Sequence, residues 1–455
     1  MAPLHPSRRR GAVVIIVLWT IAVASLIVSS VQLFAYRQAM FGREVLHRVQ
    51  ARWAARAGLE STIAMLALHT ERPVPDDAFA LIADLEYVST ADFLSSDQLF
   101  DTTYEIIHNT EDHSLPWAGP VDEHSKMNIN SADATMLALL EDITPDVTAA
   151  IMDWRDEDDE PSGLLGVERE WYLGVPSAPY EPRNGPLRTV AEMELIAGSG
   201  PDALRGEDWN LNNRLDPNED DGLRSLPDDE PDGRLDAGWS AQLTAYSIDG
   251  GATASGLPRL YLRRAEPEEL MDRCGLDELQ AEALIAFGKN ESNTLEDLIT
   301  VPLASVDNKG QVSSGGAGNP NVAPLTDEQL RAVFAEVTMY PLYERRPGKI
   351  NLNSVGPDLI RDLLEFRGYE EVVADEIIYM RDSRPEGIIS ILDLQDIPDM
   401  PASTIQQLAG LFTSTSNVYT ITSRGRSRVS GVEVEIIAVV DRSTVPVRIL
   451  EYREQ

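Results

Sequence analysis

Cysteine is nearly absent: the single Cys274 leaves no intrachain disulfide to be made and does not decide the compartment. Histidine is missing where catalysis would need it. The six, at positions 5, 47, 69, 108, 113 and 124, all precede residue 125, and the spacing of His108, His113 and His124 suits loops better than a zinc site. No Ser–His–Asp order, H-E-x-x-H helix, phosphate-cradling glycine loop or C-x-x-C pair is present, so the sequence reads as a non-enzyme. Positive charge is scarce too: 38 Lys and Arg stand against 75 Asp and Glu, a net charge of -37. The shortage is uneven. Residues 1–60 hold eight Arg and two acids, so everything after them is more acidic than the average. Such a surface repels nucleic acid and anionic lipid and suits an ectodomain that binds cations.

What is abundant at the amino terminus is uncharged apolar chain. From Gly11 to Tyr36 there is no charged residue, and a helix of that length covers the roughly 30 Å of a bilayer's hydrocarbon. Arg8, Arg9 and Arg10 precede it, which keeps the short end in the cytoplasm and exports the rest. The run exceeds the apolar region of a secretory signal and lacks a small-x-small cleavage site. Helical spacing continues through Val45, Val49, Trp53 and Ala57, then Leu59, Ile63 and Leu66, and stops near Pro73 and Pro75. The spacing predicts one helix, apolar first and amphipathic afterwards, over 12–72.

Beyond it, 99–108 (LFDTTYEIIH) reads as a strand. Residues 125 to about 200 read as mainly helical, with Asn130 or Ser131 as N-cap, Leu137 and Leu140 on one face, and a second helix over Asp146–Trp154. Residues 200–240 form a loop region, 241–264 two short strands about a glycine turn, 266–300 and 326–412 helices, and 307–324 a flexible loop. The end (VYTITSRGR, VEVEIIAVVDR, VPVRILEYR) is all strand. The expected class is α+β: a long helix and small antiparallel sheet, interrupted by a large inserted helical domain.

Two stretches, KMNINSADATMLALLEDI and GKINLNSVGPDLIRDLLEF, are internal copies, each followed by a second helix. They resemble helix-hairpin-helix modules of the SAM-like kind, many of which grip DNA phosphates. That chemistry is missing here. The turn Ile143-Thr144-Pro145-Asp146 has no glycine. Arg367-Gly368-Tyr369 runs into Glu370 and Glu371, and a third candidate, Cys274-Gly275-Leu276, runs into Asp277 and Glu278. Carboxylates at a phosphate seat repel, so no nucleic-acid partner is expected.

Residues 208–219, DWNLNNRLDPNE, have the EF-hand ligand spacing. Asp208, Asn210 and Asn212 fall at positions 1, 3 and 5, the Arg214 carbonyl at 7, Asp216 at 9 and Glu219 at 12, which points to structural calcium. Asn213 replaces the usual glycine at position 6, where Asn tolerates a positive φ. A partial echo, Asp228, Glu230, Asp232 and Asp236, lacks the terminal Glu and is a possible second site.

The stalk pattern resembles that of type IV pilins and pseudopilins. In that family a basic leader ending in Gly is cut by prepilin peptidase and the next residue is methylated; RRRG-AVVII maps the cut between Gly11 and Ala12. Most such subunits carry Glu at the fifth mature position to pair with a neighbour's terminal ammonium, and here that position is Ile16. Lacking it is a trait of the K-type tip subunit, which enters first and has no predecessor to neutralise. The stretch DWRDEDDEPSGLLGVEREWYLGVPSAPYEPRNGPLRTVAEMELIAG resembles the K subunit of type II secretion at Asp153, Trp154, Asp156, Asp158, Pro161, Glu168, Tyr172, Pro179, Tyr180, Asn184, Pro186, Leu187 and Glu194. Trp154 and Tyr172 read as packing residues.

That resemblance implies a minor pseudopilin, single-pass in the inner membrane with a periplasmic ectodomain. It would initiate and cap the pseudopilus tip with the I, J and H subunits as partners, and calcium binding is a property of K-type subunits. The implied division is leader 1–11, stalk 12–72, pilin-like part 73–124, first helical subdomain with the calcium loop 125–240, sheet strands 241–265, second helical subdomain 266–415 and closing strands 416–455. The alternatives are a DNA-uptake receptor of the helix-hairpin-helix type and a calcium-dependent surface adhesin.

Overall fold

The computed structural model describes residues 10–90, 101–110, 113–176, 178–250, 253–312 and 318–455. It opens with a single helix, α1 (Arg10–Glu71), and a short helix, α2 (Ala80–Val88), packs beside its far end. Residues 1–9 of the expected leader and the first two residues of the 99–108 strand lie outside the described residues. A six-stranded antiparallel sheet follows, built from β1 (Thr102–Thr110), β2 (His113–Ala118) and β3 (Val121–Asp122) together with the chain's last strands, β10 (Val418–Ser427), β11 (Glu433–Asp441) and β12 (Arg448–Glu454). Its order is β12-β11-β10-β1-β2, with β3 also pairing to β10.

Alternation along β10 explains both sheet faces. Ile421, Ser423 and Gly425 face α1, whereas Thr422 and Arg424 face the other way. Small residues let helix and sheet approach closely. Ala51, Ala54, Ala55 and Gly58 lie against Ser423, Gly425 and Tyr104, and the Ser423 hydroxyl donates to the Ala55 carbonyl at 2.8 Å. Leu59, Leu66, Ile106, Ile436 and Val440 complete this core.

Between Asp122 and Val418 the chain leaves the sheet and builds a second, larger core. Three helical units compose it, each closed by a two-residue parallel pairing between its first and last strands. The first runs from β4 (Met127–Asn128) through α3 (Ala134–Leu137), α4 (Pro145–Arg155), α5 (Arg169–Leu173), α6 (Pro201–Arg205) and α7 (Trp239–Gln242) to β5 (Leu243–Thr244). The second runs from β6 (Leu260–Tyr261) through α8 (Pro267–Cys274), α9 (Glu278–Gly288) and α10 (Asp327–Glu336) to β7 (Val337–Thr338). The third runs from β8 (Ile350–Asn351) through α11 (Pro357–Phe366), α12 (Glu371–Ser383) and α13 (Ala402–Leu411) to β9 (Phe412–Thr413).

The repeated Lys-x-Asn-x-Asn motif is now explained. Lys126 and Lys349 each donate to a carbonyl in the last helix of their own unit, Ser240 at 2.8 Å and Ala409 at 2.7 Å, where a cation suits the helix's negative end. The second Asn clamps a distant backbone through both its amide atoms: Asn130 binds N and O of Leu187, and Asn353 binds N and O of Ile388. Arg155 and Arg381 fasten the motif from behind by donating to the carbonyls of Ile129 and Leu352.

Three expectations are corrected. The strands within 241–265 do not join the pilin-like sheet: β5 pairs with β4 and β6 with β7, because Leu243 and Leu260 are buried in the helical core. The cap of α3 is neither Asn130 nor Ser131 but Asp133, whose carboxylate accepts from Met136 N, since Asn130 is committed to Leu187. The segment 125–200 is less helical than expected, with α3 only four residues long and long irregular joints held by side-chain clamps.

Candidate functional sites: an apolar stalk and an acidic loop

The first half of α1 is exposed along its length among the described residues and is long and apolar enough to cross a membrane. Two of its hydroxyls are satisfied within the helix, Thr20 and Ser30 donating to carbonyls three residues back. Gly11 and Ala12 fall in its first turn, and Ile16 projects outward, 62% exposed. Further along, the helix splits into two faces. Ala51, Ala54, Ala55, Leu59 and Leu66 bury against the sheet, while Val45, Val49 and Trp53 remain exposed. The second set is an apolar stripe that continues the uncharged span.

The loop 208–219 lies on the sheet face opposite α1. Arg453 donates to the carbonyls of Asn210 (2.8 Å) and Leu211, Arg214 pairs with Glu105 at 2.8 Å, and Thr422 donates to the Asn212 carbonyl at 2.9 Å. Asn213 has φ +58°, as the sixth position requires, and Leu211 shares the left-handed region at +52°, a strained setting for an apolar residue. The predicted ligands converge. Asn210 and Asn212 both donate to Asp216 Oδ2, at 3.0 and 2.9 Å. Asp208 accepts from the amides of Asn212 and Asn213, and Glu219 from those of Trp209 and Asp216.

The electrostatics favour an added cation. Burial, with the charges of Asp208 and Asp216 adding to it, pushes Glu219 up to about 8, and burial pushes Asp208 up to about 6. Asp216 escapes: burial works against its charge, but the Arg424 guanidinium at 2.6 Å outweighs that and holds its pKa low. The buried Asn210 Oδ1 has no partner. An all-oxygen donor set with an orphaned carbonyl and two hard-to-ionise carboxylates fits a hard divalent ion, although Arg424 already serves Asp216. By contrast, Asp228, Glu230, Asp232 and Asp236 are exposed and are not gathered; Asp232 and Asp236 accept from amides two residues onward in local turns.

In the sequence Asp153, Asp156 and Glu168 stand out only as positions of resemblance to the K subunit, yet the structure brings their carboxylates together. Trp154 and Tyr172 are core residues as expected, with ring centroids 5.2 Å apart at 75°, and Tyr180 joins them. His108 and His124 donate from Nδ1 to the backbone carbonyls of Gly119 and Lys349 and form no metal cluster among the described residues.

A long helix, apolar enough to cross a membrane, packed on an antiparallel sheet, with a helical head inserted between the sheet's strands, defines the class: an α+β protein. Residues 125–206 match the family model of the type II secretion system (T2SS), protein K. No curated protein matches the chain. Among solved structures, it is similar to a chain in the crystal structure of the GspK-GspI-GspJ complex from the enterotoxigenic Escherichia coli type 2 secretion system. The identity is 11% and the TM-score 0.41, with 91% of this chain and 99% of that one covered, which is too distant for residue-by-residue transfer.

Proposed function

We propose that this protein is a minor pseudopilin of type II secretion that initiates the pseudopilus and caps its tip, supporting export across the outer membrane. The observation that carries the reading is the stalk: a helix whose span from Gly11 to Tyr36 is uncharged, with no acid at Ile16, continued by an exposed apolar stripe, and carrying a head of the protein K kind. A charge buried without a partner in a bundle of apolar helices is costly, and a first subunit has no neighbour's ammonium to neutralise. Prepilin peptidase cuts after Gly11, Ala12 is methylated, and the stalk is held in the inner membrane with the head in the periplasm. The partners are the I and J minor pseudopilins, whose counterparts are named with GspK in the complex above, and the H subunit joins this tip to the shaft. The broad head then blocks addition of a further subunit. Calcium at Asp208, Asn210, Asn212, the Arg214 carbonyl, Asp216 and Glu219 fixes the loop that seats the head on the sheet.

DNA uptake is disfavoured, because Arg367 at the hairpin turn is already paired with Asp133 at 2.8 Å. Mass spectrometry of the chain purified from membranes tests the proposal. A mature terminus at methylated Ala12, with I, J and H co-purifying, is expected; a terminus made by ordinary signal peptidase, with the stalk discarded, overturns it.

A further inference from the structure

The hairpin α11–α12 buries one side of each helix and leaves the other bare. Ile360, Leu363 and Leu364 of α11 and Ala374, Ile377 and Ile378 of α12 fill the head's core. A residue two positions from a buried one lies about 200° round the helix. Phe366, Val372 and Tyr379 stand in that relation to Leu364, Ala374 and Ile377, and they are 52%, 55% and 69% exposed.

The two outward rows meet. Arg361 of α11 pairs with Asp375 of α12 at 3.1 Å, and Asp375 stands three residues after Val372 and four before Tyr379, so these share one face of α12. Phe366 joins them across the turn Arg367–Glu370, which Gly368 closes with φ +84°.

Around these apolar side chains the charge is of one sign. Asp362, Glu365, Glu370, Glu371 and Glu376 are all exposed, and none forms an ion pair among the described residues. The hairpin's own cations are spent elsewhere: Arg361 on Asp358 and Asp375, Arg367 on Asp133 of the first unit, and Arg381 on Asp382 and the Leu352 and Val355 carbonyls. Partial burial, with the charges of Asp358 and Glu365 adding to it, holds the Asp362 carboxyl above its ordinary pKa. Nucleic acid and anionic lipid would bring still more negative charge to this face, so both are repelled. Lys and Arg suit it on two counts. Their aliphatic stems pack on apolar and aromatic side chains, and their charged ends reach rings and carboxylates at the rim. Exposed aromatic anchors inside a polar rim are the composition of a protein contact.

We infer that the outer face of α11–α12 is a docking surface for a basic amphipathic segment of a partner protein. The segment lays its apolar side chains on Phe366, Val372 and Tyr379 and sets Lys or Arg against the surrounding carboxylates. The hairpin alone carries this reading, which does not depend on a role in secretion.

The test replaces Tyr379 by a photo-crosslinking residue in the full chain, irradiates the cells that carry it, and sequences the peptide captured. The same replacement at Tyr343, 83% exposed and outside the hairpin, is the control. Capture from position 379 and not from 343 is expected, through a segment in which Lys and Arg outnumber Asp and Glu. Glu371→Lys combined with Glu376→Lys should cut the yield by about tenfold while leaving thermal unfolding unchanged. Should that double variant unfold early, raised salt applied to isolated membranes before irradiation must produce the same loss with the native acids in place. Equal capture from both positions, capture of an acidic segment, lipid or nucleic acid, or a yield indifferent to charge reversal and to salt overturns the proposal.

Discussion

Replacing Gly425 by alanine probes a tight joint, where the stalk meets the sheet. A Cβ at this position would sit inside the radii of the Ala51 carbonyl oxygen and the Ala55 nitrogen, which are backbone atoms and cannot rotate away. Helix and strand must separate by about 1 Å, and a gap of that order forfeits a quarter to a half of the dispersion energy of the atoms lining it. Those atoms belong to Ala54, Ala55 and Leu59 against Tyr104 and Ile421, all buried. With the usual cost of overpacking added, Gly425→Ala should destabilise the ectodomain by about 2–4 kcal/mol. Two controls sharpen the assay, which is urea unfolding followed by tryptophan fluorescence in detergent. Gly410→Ala, in α13 with open space around it, should be neutral or stabilising by up to about 1 kcal/mol. Adding Ala51→Gly to Gly425→Ala should not rescue it, because the colliding atom is the carbonyl that every residue carries. A cost for Gly425→Ala below about 0.5 kcal/mol, or full rescue by Ala51→Gly, would refute the close-approach account.

Asn353→Ala strips both partners from the buried backbone of Ile388 and should cost about 2–4 kcal/mol in the same assay, with Asn130→Ala similar at Leu187. Glu219 supplies a pH signature. Its folded pKa, about 8, lies above the ordinary 4.5, so the stability it contributes is complete below pH 4.5 and is lost as pH rises toward 8. In chelator, Glu219→Gln should therefore gain on wild type across that window; with calcium present the order should reverse, and a gain that calcium leaves untouched would argue against ligation. Chelation of the wild type should lower its melting temperature and expose 208–236 to limited proteolysis, since only side-chain bonds to the sheet, such as those of Arg424 and Arg453, would then hold the loop. Replacing Val45, Val49 and Trp53 together by serine should change ectodomain stability by no more than about 0.5 kcal/mol yet abolish co-purification of the partner subunits.

The stalk and the closing strands were legible because each follows one period over many residues: β10 to β12 appear where alternation places them, and α1 spans Arg10–Glu71 against an expected 12–72. The insertion was legible from strand character at both of its ends. The second helical unit was not recognised as a copy, because Tyr261 and Arg263 stand where the other two carry Asn. What survives is the cation before an apolar-x-apolar pair: Arg259 donates to the carbonyls of Phe334 and Val337 at the end of α10, just as Lys126 and Lys349 serve α7 and α13. The loop 208–219 could be read from ligand spacing, whereas its seat on the sheet depends on Glu105, Arg424, Glu435 and Arg453, which no local pattern links to it. The cluster at Asp153, Asp156 and Glu168 stayed hidden for a related reason: in so acidic a chain, three more acids carry no signal until the fold shows which lack partners.

Asp122 lies opposite Tyr419 in the sheet, so the excursion that forms the whole head departs and returns through neighbouring residues on two paired strands. To the sheet, that excursion is one closed bight, and because the entropy of closing a bight grows only with the logarithm of its length, an enormous one weighs little more than a short one. The base can thus keep a single stalk geometry while its cargo is enlarged, trimmed or exchanged.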